Sequence, residues 1–200
     1  MVLAKKIFAK IFAFFVVSKI KKSYANAAQI QINILKRLIN KAKKTKFGIE
    51  HQFHKINSVE EYIDKVPVRD YEDIKKYIDE IKKGIKDILW PGKPKYLAKT
   101  SGTTSGAKYI PITNESMPNH ILSSRNALLF YIYETGDTSF LNGKTIFLQG
   151  SPVLDEINGI LIGRLSGIVA HHIPSYLRKN NLPSVKTNSI EDWEKKVNEI

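Results

Sequence analysis

The stretch from Lys99 to Lys108 constrains the fold of this chain more than any other. It contains Lys-Thr-Ser-Gly-Thr-Thr-Ser-Gly-Ala-Lys, so that small and hydroxyl-bearing residues separate two lysines. Glycine adopts positive φ at little steric cost, hydroxyls donate hydrogen bonds, and lysine carries a compact positive charge. We therefore predict a loop that binds the phosphates of a nucleoside triphosphate.

The flanks of this loop distinguish it from a Walker A motif. Lys95–Ala98 and Tyr109–Ile112 are predicted to be short strands, and Pro111 excludes a helix that begins directly after the loop. A Walker A loop instead leads from a strand into a helix whose N-terminus faces the phosphates. The glycines also differ, because Gly102 and Gly106 are separated by three residues rather than four. The sequence therefore predicts a strand–loop–strand arrangement.

Residues 100–108 resemble the phosphate loop of the adenylate-forming superfamily, with the approximate pattern T-S-G-T-T-G-x-P-K-G. The chain departs from this pattern by an additional Ser105 and by the lack of a proline before Lys108. These departures resemble the auxin-responsive Gretchen Hagen family of acyl acid-amido synthetases, and in particular its bacterial members. The resemblance covers about residues 29–200. Further segments follow the order of that family: 29–53, 66–71, 143–151, 163–167 and 182–184.

The resemblance implies an α/β fold and a division of the chain. We expect the N-terminal part of the large domain of an adenylate-forming enzyme, with a helical N-terminal region followed by a mixed β-sheet with helices. Residues 1–28 would form a basic amphipathic helix, and residues 29–200 would belong to the large domain. The family's second nucleotide motif, its ribose-binding aspartate and its small C-terminal domain would lie beyond Ile200. We therefore expect the chain to be a fragment of a larger, cytoplasmic enzyme.

The resemblance also implies an ATP-dependent ligase that uses Mg²⁺. The enzyme would activate a carboxylic acid as an acyl-adenylate and transfer the acyl group to an amine, expected to be an amino acid. Lys108 would be the catalytic residue that offsets phosphate charge. Arg125 would bind the substrate carboxylate, although a surface arginine fits the sequence equally well. The residues expected to bind the nucleotide are Thr100, Ser101, Gly102, Thr103, Thr104, Ser105, Gly106 and Lys108.

The histidines and the lack of cysteine argue against a metal site formed by protein ligands. The chain has no cysteine, which excludes thiolate ligands. His171 and His172 are adjacent, and neighbouring side chains diverge on a helix or strand. His51 and His54 have suitable helical spacing, but the sequence offers no evident carboxylate partner near them. We predict no protein-bound metal.

Residues 1–49 carry most of the net charge of +13, because they contain twelve Lys or Arg and no acidic residue. A signal peptide is disfavoured because Lys10 interrupts the apolar stretch, which is also too short to span a membrane. A membrane-surface helix over residues 1–25 and a helix that packs on the rest of the protein both fit. The second hypothesis for function is therefore a membrane-associating or interaction module without catalysis. No nucleic-acid-binding motif accompanies the charge, and we expect no such partner.

Hydrophobic periodicity and capping residues predict the helices. Asp70 and Gly84 bound one of them, and Ser58 begins another. A buried strand is expected at 145–148, and a last helix is expected to run from Ser189 to the end of the chain. The other predicted helices cover 2–22, 26–46 and 115–135.

Overall fold

Helices are the regular elements of the described chain up to Lys82, and strands, the first beginning at Tyr96, are interspersed with helices after that. The computed structural model describes residues 2–100, 106–147, 149–174, 178 and 180–200. The helices are α1 (Val2–Tyr24), α2 (Ala27–Ala42), α3 (Lys46–Glu50), α4 (Val59–Lys65), α5 (Tyr71–Lys82), α6 (Met117–Thr135), α7 (Leu165–Ala170), α8 (Val185–Asn188) and α9 (Trp193–Asn198). The strands are β1 (Tyr96–Lys99), β2 (Tyr109–Ile112), β3 (Thr145–Ile146), β4 (Asp155–Ile157), β5 (Ile160–Gly163) and β6 (Asn181–Leu182). Short 3-10 helices cover Phe53–Lys55 and Ser139–Asn142.

The capping signals place two helices correctly. Asp70 accepts a hydrogen bond from the Asp73 amide at 3.0 Å, and the Asp73 carboxylate accepts one from the Asp70 amide at 3.3 Å. This reciprocal capping satisfies two amides at the start of α5. Ser58 caps α4 by accepting from the Glu61 amide at 3.2 Å. Both helix starts are therefore confirmed.

The continuous helix predicted over 26–46 is wrong at its end. Helix α2 ends at Ala42, and the buried Thr45 side chain caps α3 by accepting from the Gly48 amide at 3.1 Å. Gly48, expected to stop the helix, lies within α3 instead. A Cβ at this position would overlap the Ala42 carbonyl. Glycine is therefore needed for the close approach of two helices, which periodicity alone does not reveal.

Two other expectations also need correction. The last helix does not begin at Ser189, because α8 ends at Asn188 and α9 begins at Trp193 after the cap Asp192. The strand predicted at 145–148 includes Thr145–Ile146, and Leu148 lies outside the described residues. Ile146 is 70% exposed rather than buried.

The chain divides into two compact units, each with its own core. One unit comprises residues 26–114 and 155–162, with a four-stranded sheet in the order β2-β1-β5-β4. Strands β1 and β2 pair antiparallel, as do β4 and β5. Helix α5 covers this sheet with one apolar face. The core of the unit consists of Tyr77, Ile78, Ile81, Ile88, Leu97, Ile160 and Ile162.

The Tyr77 ring is fully buried, but its hydroxyl has a polar partner. It donates to the carboxylate of Glu50, at the end of α3. This hydrogen bond lowers the pKa of Glu50 because it favours the ionised carboxylate. The interaction joins α3 to α5 without leaving a buried hydroxyl unpaired.

The other unit comprises residues 1–25, 115–154 and 163–200. Helix α1 packs along α6, where Ala13 and Val17 contact Leu129 and Ile132. Strands β3 and β6 pair parallel in the same unit. Gly136, with φ of +68°, ends α6 in the left-handed conformation that favours glycine.

The packing of α1 on α6 predicts a contrast between two adjacent leucines. Leu129→Ala should lower the free energy of unfolding by about 2–4 kcal/mol, because it leaves a cavity in the core. Leu128→Ala should change it by less than about 0.5 kcal/mol, since Leu128 is 55% exposed. Urea denaturation followed by circular dichroism measures both values. Equal effects of the two substitutions would contradict the described packing.

Candidate functional site

The predicted loop lies at the end of an antiparallel hairpin. Strands β1 and β2 pair up to Lys99, which lies opposite Tyr109. Beyond this pair, the Thr100 amide donates to the Lys108 carbonyl at 2.9 Å. The predicted flanking strands are therefore confirmed, and the base of the loop is closed by a hydrogen bond. The remaining nucleotide-binding candidates, Ser101, Gly102, Thr103, Thr104 and Ser105, lie outside the described residues.

Gly106 combines an unusual backbone conformation with open surroundings. Its φ is +82°, in the left-handed region where an L side chain is strained. A Cβ built at this position would meet no heavy atom of the described residues within 4 Å. The described packing therefore does not require glycine at this position, whereas the backbone conformation favours it.

Tyr71 supports the C-terminal side of the loop through two contacts. The Lys108 ammonium lies 5.3 Å from the centroid of the Tyr71 ring, a cation–π distance. The Tyr71 hydroxyl accepts a hydrogen bond from the Tyr109 amide at 2.8 Å. Strand β2 is at the edge of the described sheet. The Tyr71 hydroxyl therefore pairs with the Tyr109 amide, which no described neighbouring strand pairs with.

Sequence reasoning missed this role of Tyr71. In the sequence, Tyr71 was noted only as the last residue of the segment 66–71, which resembles the Gretchen Hagen family. Its position directly after the cap Asp70 is a usable signal, because the first residue of a helix has a defined orientation once the cap is set. Tyr71, which contacts the C-terminal side of the loop, is thus the first residue of helix α5.

A second lysine, Lys82 at the end of α5, also lies near the hairpin. The Lys82 ammonium lies 4.6 Å from the centroid of the Tyr109 ring. The carbonyl of Lys82 accepts from the Asn158 side chain at 2.7 Å, which connects this end of α5 to the β4–β5 turn. Lys82 and Lys108 therefore both contribute positive charge near the hairpin, a field that favours an anionic ligand.

Arg125 lies in the other unit, on an exposed part of α6. Its Nη2 donates to the Asn126 side chain at 2.8 Å, and its Cζ lies 5.7 Å from the centroid of the Phe12 ring on α1. These contacts account for its position without a substrate. Its role as a carboxylate ligand stays a prediction.

Two of the histidines, His51 and His171, have protein partners. His51 is buried, and its Nδ1 lies 2.8 Å from the Phe47 carbonyl while its Nε2 lies 2.9 Å from Nη2 of Arg69. A guanidinium can only donate, so Nε2 accepts and Nδ1 carries the proton. His171 Nε2 lies 2.7 Å from the Pro152 carbonyl. Within the described ranges, no group of three or more His, Cys, Asp or Glu could hold a metal ion.

A cavity of about 70 Å³ lies in the same unit as Arg125, and no sequence motif indicated it. Two buried acceptors in its lining, Gln149 Oε1 and Asn188 Oδ1, have no hydrogen-bond partner among the described residues. The Asn188 amide nitrogen donates to the Pro183 carbonyl at 3.2 Å, which orients its free oxygen. Since buried acceptors are usually paired, water or a ligand with donor groups would suit this cavity.

The comparisons with known proteins identify the class of the chain. The model of the GH3 family N-terminal domain matches residues 16–198. The chain therefore belongs to the GH3 family. This finding confirms the resemblance to the Gretchen Hagen family that the loop and its flanking segments indicated.

Particular relatives support this assignment. Indole-3-acetic acid-amido synthetase GH3.15 of Arabidopsis thaliana is 34% identical over 117 residues, which cover 56% of this chain and 19% of that protein. A solved structure of GH3.15 acyl acid amido synthetase matches with a TM-score of 0.69 at 22% identity, over 88% of this chain and 31% of that chain. AtGH3.15 in complex with 2,4-DB matches with a TM-score of 0.66 at 24% identity, over 82% and 28%.

These relatives confirm the expected fold, an α/β chain similar to the N-terminal region of an acyl acid amido synthetase. They do not support the expectation of a bacterial type in particular. The chain spans only 19% to 31% of the length of the relatives described above.

The contacts of Tyr71 predict a local effect of removing its hydroxyl. Tyr71→Phe should speed hydrogen exchange of the Tyr109 amide by at least about fivefold, because an unpaired donor costs about 1–3 kcal/mol. Tyr24→Phe is the control, because Tyr24 is 61% exposed and lies in the other unit. Hydrogen exchange measured by NMR follows both variants. An unchanged Tyr109 rate in Tyr71→Phe would refute the support described above.

Proposed function

We propose that this chain provides the triphosphate-binding side of an ATP-dependent acyl acid-amido synthetase. The hairpin supports this proposal most directly: its loop is closed by the Thr100–Lys108 hydrogen bond, and Lys108 lies against Tyr71. Membership of the GH3 family, whose relatives here are acyl acid amido synthetases, supports the same reaction class.

In the proposed reaction, a carboxylate oxygen attacks the α-phosphorus of ATP. The bond from that phosphorus to the bridging oxygen breaks, and pyrophosphate leaves. The nitrogen of an amine then attacks the acyl carbon, AMP leaves, and one proton is released as the amide forms. We propose an acyl acid as the first substrate and an amino acid as the amine.

The loop would act by positioning and by charge stabilisation. Negative charge on the leaving pyrophosphate increases during the first step, so donors aimed at it lower the barrier. Lys108 would supply a cation, and the Gly106 backbone would approach the phosphates closely because no side chain intervenes. We assign the hydroxyls of Ser101, Thr103, Thr104 and Ser105 to the same phosphates.

Among the described residues, no group of three or more His, Cys, Asp or Glu could hold Mg²⁺. In nucleotide enzymes, Mg²⁺ is held by substrate phosphates together with one or two carboxylates. We therefore propose that Mg²⁺ enters with ATP and offsets phosphate charge, while this chain supplies Lys108 and the loop donors.

Lys108→Ala should weaken ATP binding by at least about tenfold, because it removes a cation beside the phosphates. Lys83→Ala is the matched control, since Lys83 is an exposed lysine of the same unit just after α5. Isothermal titration with Mg-ATP measures both dissociation constants. Equal affinities of the two variants would exclude the role of Lys108.

The reaction itself predicts carboxylate-dependent exchange of label between pyrophosphate and ATP. The assay uses this chain and, where the gene encodes further residues, its complete product, with a panel of acyl acids. Exchange should require an acyl acid and should fall at least about tenfold in Lys108→Ala. Absence of both ATP binding and exchange across the panel would refute the synthetase assignment.

A further inference from the structure

Helix α1 presents a broad apolar face to solvent. Leu3, Ile7, Phe8, Ile11 and Phe15 form this face, and each of the five side chains is between 51% and 71% exposed. Single exposed apolar residues are common, but a cluster of this size usually marks an interaction surface. We call this group the apolar face of α1.

The five residues lie on one side of the helix. At 3.6 residues per turn they occupy an arc of about 140° and a length of about 18 Å. Ala13 and Val17, which pack on α6 and are fully buried, lie outside this arc. Phe14 lies within the arc and is 56% exposed, and its ring stacks on Tyr133 of α6. Helix α1 is therefore anchored to its own unit by residues outside the arc together with Phe14, and the five residues of the apolar face are not among those that pack on this core.

Lysines flank this face. Lys10 lies at one edge and Lys5 beyond the other, and Lys19 and Lys22 follow in the next turns, near the line of the face. Lys21 pairs with Glu134 at 2.7 Å, whereas Lys10, Lys19 and Lys22 form no ion pair within the described part of the chain. Residues 1–49 contain no acidic residue that would offset these charges.

We propose that the apolar face of α1 and its lysines bind the surface of an anionic membrane. Phenylalanine and leucine on one side with lysines at the margins suit a helix that lies in the interface plane, with its apolar side among the acyl chains and its ammonium groups at the headgroups. Helix α1 would lie on the membrane, because no helix among the described residues is long and apolar enough to span it.

The charge and the aromatic content together favour this occupant over two others. A nucleic-acid duplex would be bound by the lysines through phosphates, but the exposed aliphatic side chains Leu3, Ile7 and Ile11 offer a duplex nothing comparable. A second copy of the chain would bring its own lysines against these lysines, a like-charge contact that costs affinity. An anionic bilayer satisfies both parts of the surface.

The test measures co-sedimentation of the full chain with vesicles of phosphatidylcholine alone or mixed with phosphatidylserine. The chain should bind the mixed vesicles, and added salt should weaken the binding. Phe8→Ser combined with Phe15→Ser should reduce the binding at least about tenfold, because two phenylalanine side chains no longer enter the bilayer. The control combines Ile63→Ser with Val68→Ser, two exposed apolar residues of the other unit, and should bind as the unchanged chain does.

A second pair of variants tests the charge. Lys19→Gln combined with Lys22→Gln should reduce binding to the mixed vesicles by roughly tenfold, and Lys83→Gln combined with Lys86→Gln should not. Circular dichroism and ATP titration of all variants establish that folding and the proposed nucleotide site are unaffected.

Three outcomes would overturn the proposal. The first is equal vesicle binding by the phenylalanine variant and its control. The second is binding to a nucleic-acid duplex that is stronger than binding to mixed vesicles and unchanged in the phenylalanine variant. The third is a dimer, detected by light scattering, that the phenylalanine substitutions dissociate while vesicle binding is absent.

Discussion

The hydrogen bond from the Tyr109 amide to the Tyr71 hydroxyl is the contact on which the candidate site depends. It fastens the edge strand β2 to the start of α5. The same tyrosine ring lies below the Lys108 ammonium, so one side chain positions both the backbone and the charge of the loop. Helix α5 can hold this tyrosine in place because Asp70 caps its first turn and Tyr77, Ile78 and Ile81 bury its apolar side. The core of the unit thus determines the positions of Lys108 and Tyr109, which follow the loop.

The two units differ in how much apolar side-chain surface their helices leave exposed. In one, α5 and the four-stranded sheet enclose a continuous apolar core, and strand β2, which follows the loop in the chain, lies at the edge of that sheet. In the other, α1 is packed on α6 by small and branched residues on one side and remains apolar on its exposed side. An exposed apolar helix face costs free energy in water, and a lysine-flanked one is suited to a surface that offers both acyl chains and negative charge.

The local signals of the sequence were reliable where one interaction decides the outcome. Ser58 and Asp70 cap helices, and Pro111 excludes a helix after the loop, so these elements were predicted correctly. The local signals gave wrong helix boundaries where contacts outside the helix determine its end. Hydrophobic periodicity predicted one helix over α2 and α3. The two helices are separate, because the buried Thr45 caps α3 and Gly48 lies close to the Ala42 carbonyl. The last helix was predicted too early, because Ser189 and Asp192 are both plausible caps and only the structure distinguishes them.

By itself, the sequence determined the family, the strand–loop–strand character of residues 95–112, and the concentration of positive charge before residue 50. These properties depend on residue type, local spacing and composition. Only the tertiary structure decided that the Tyr71 ring lies beside Lys108 and that both ring nitrogens of His51 form hydrogen bonds, to Phe47 and Arg69. It also decided which side of α1 is exposed. The physical reason is that such properties depend on residues brought together by packing between elements, and periodicity within one element does not specify its partner.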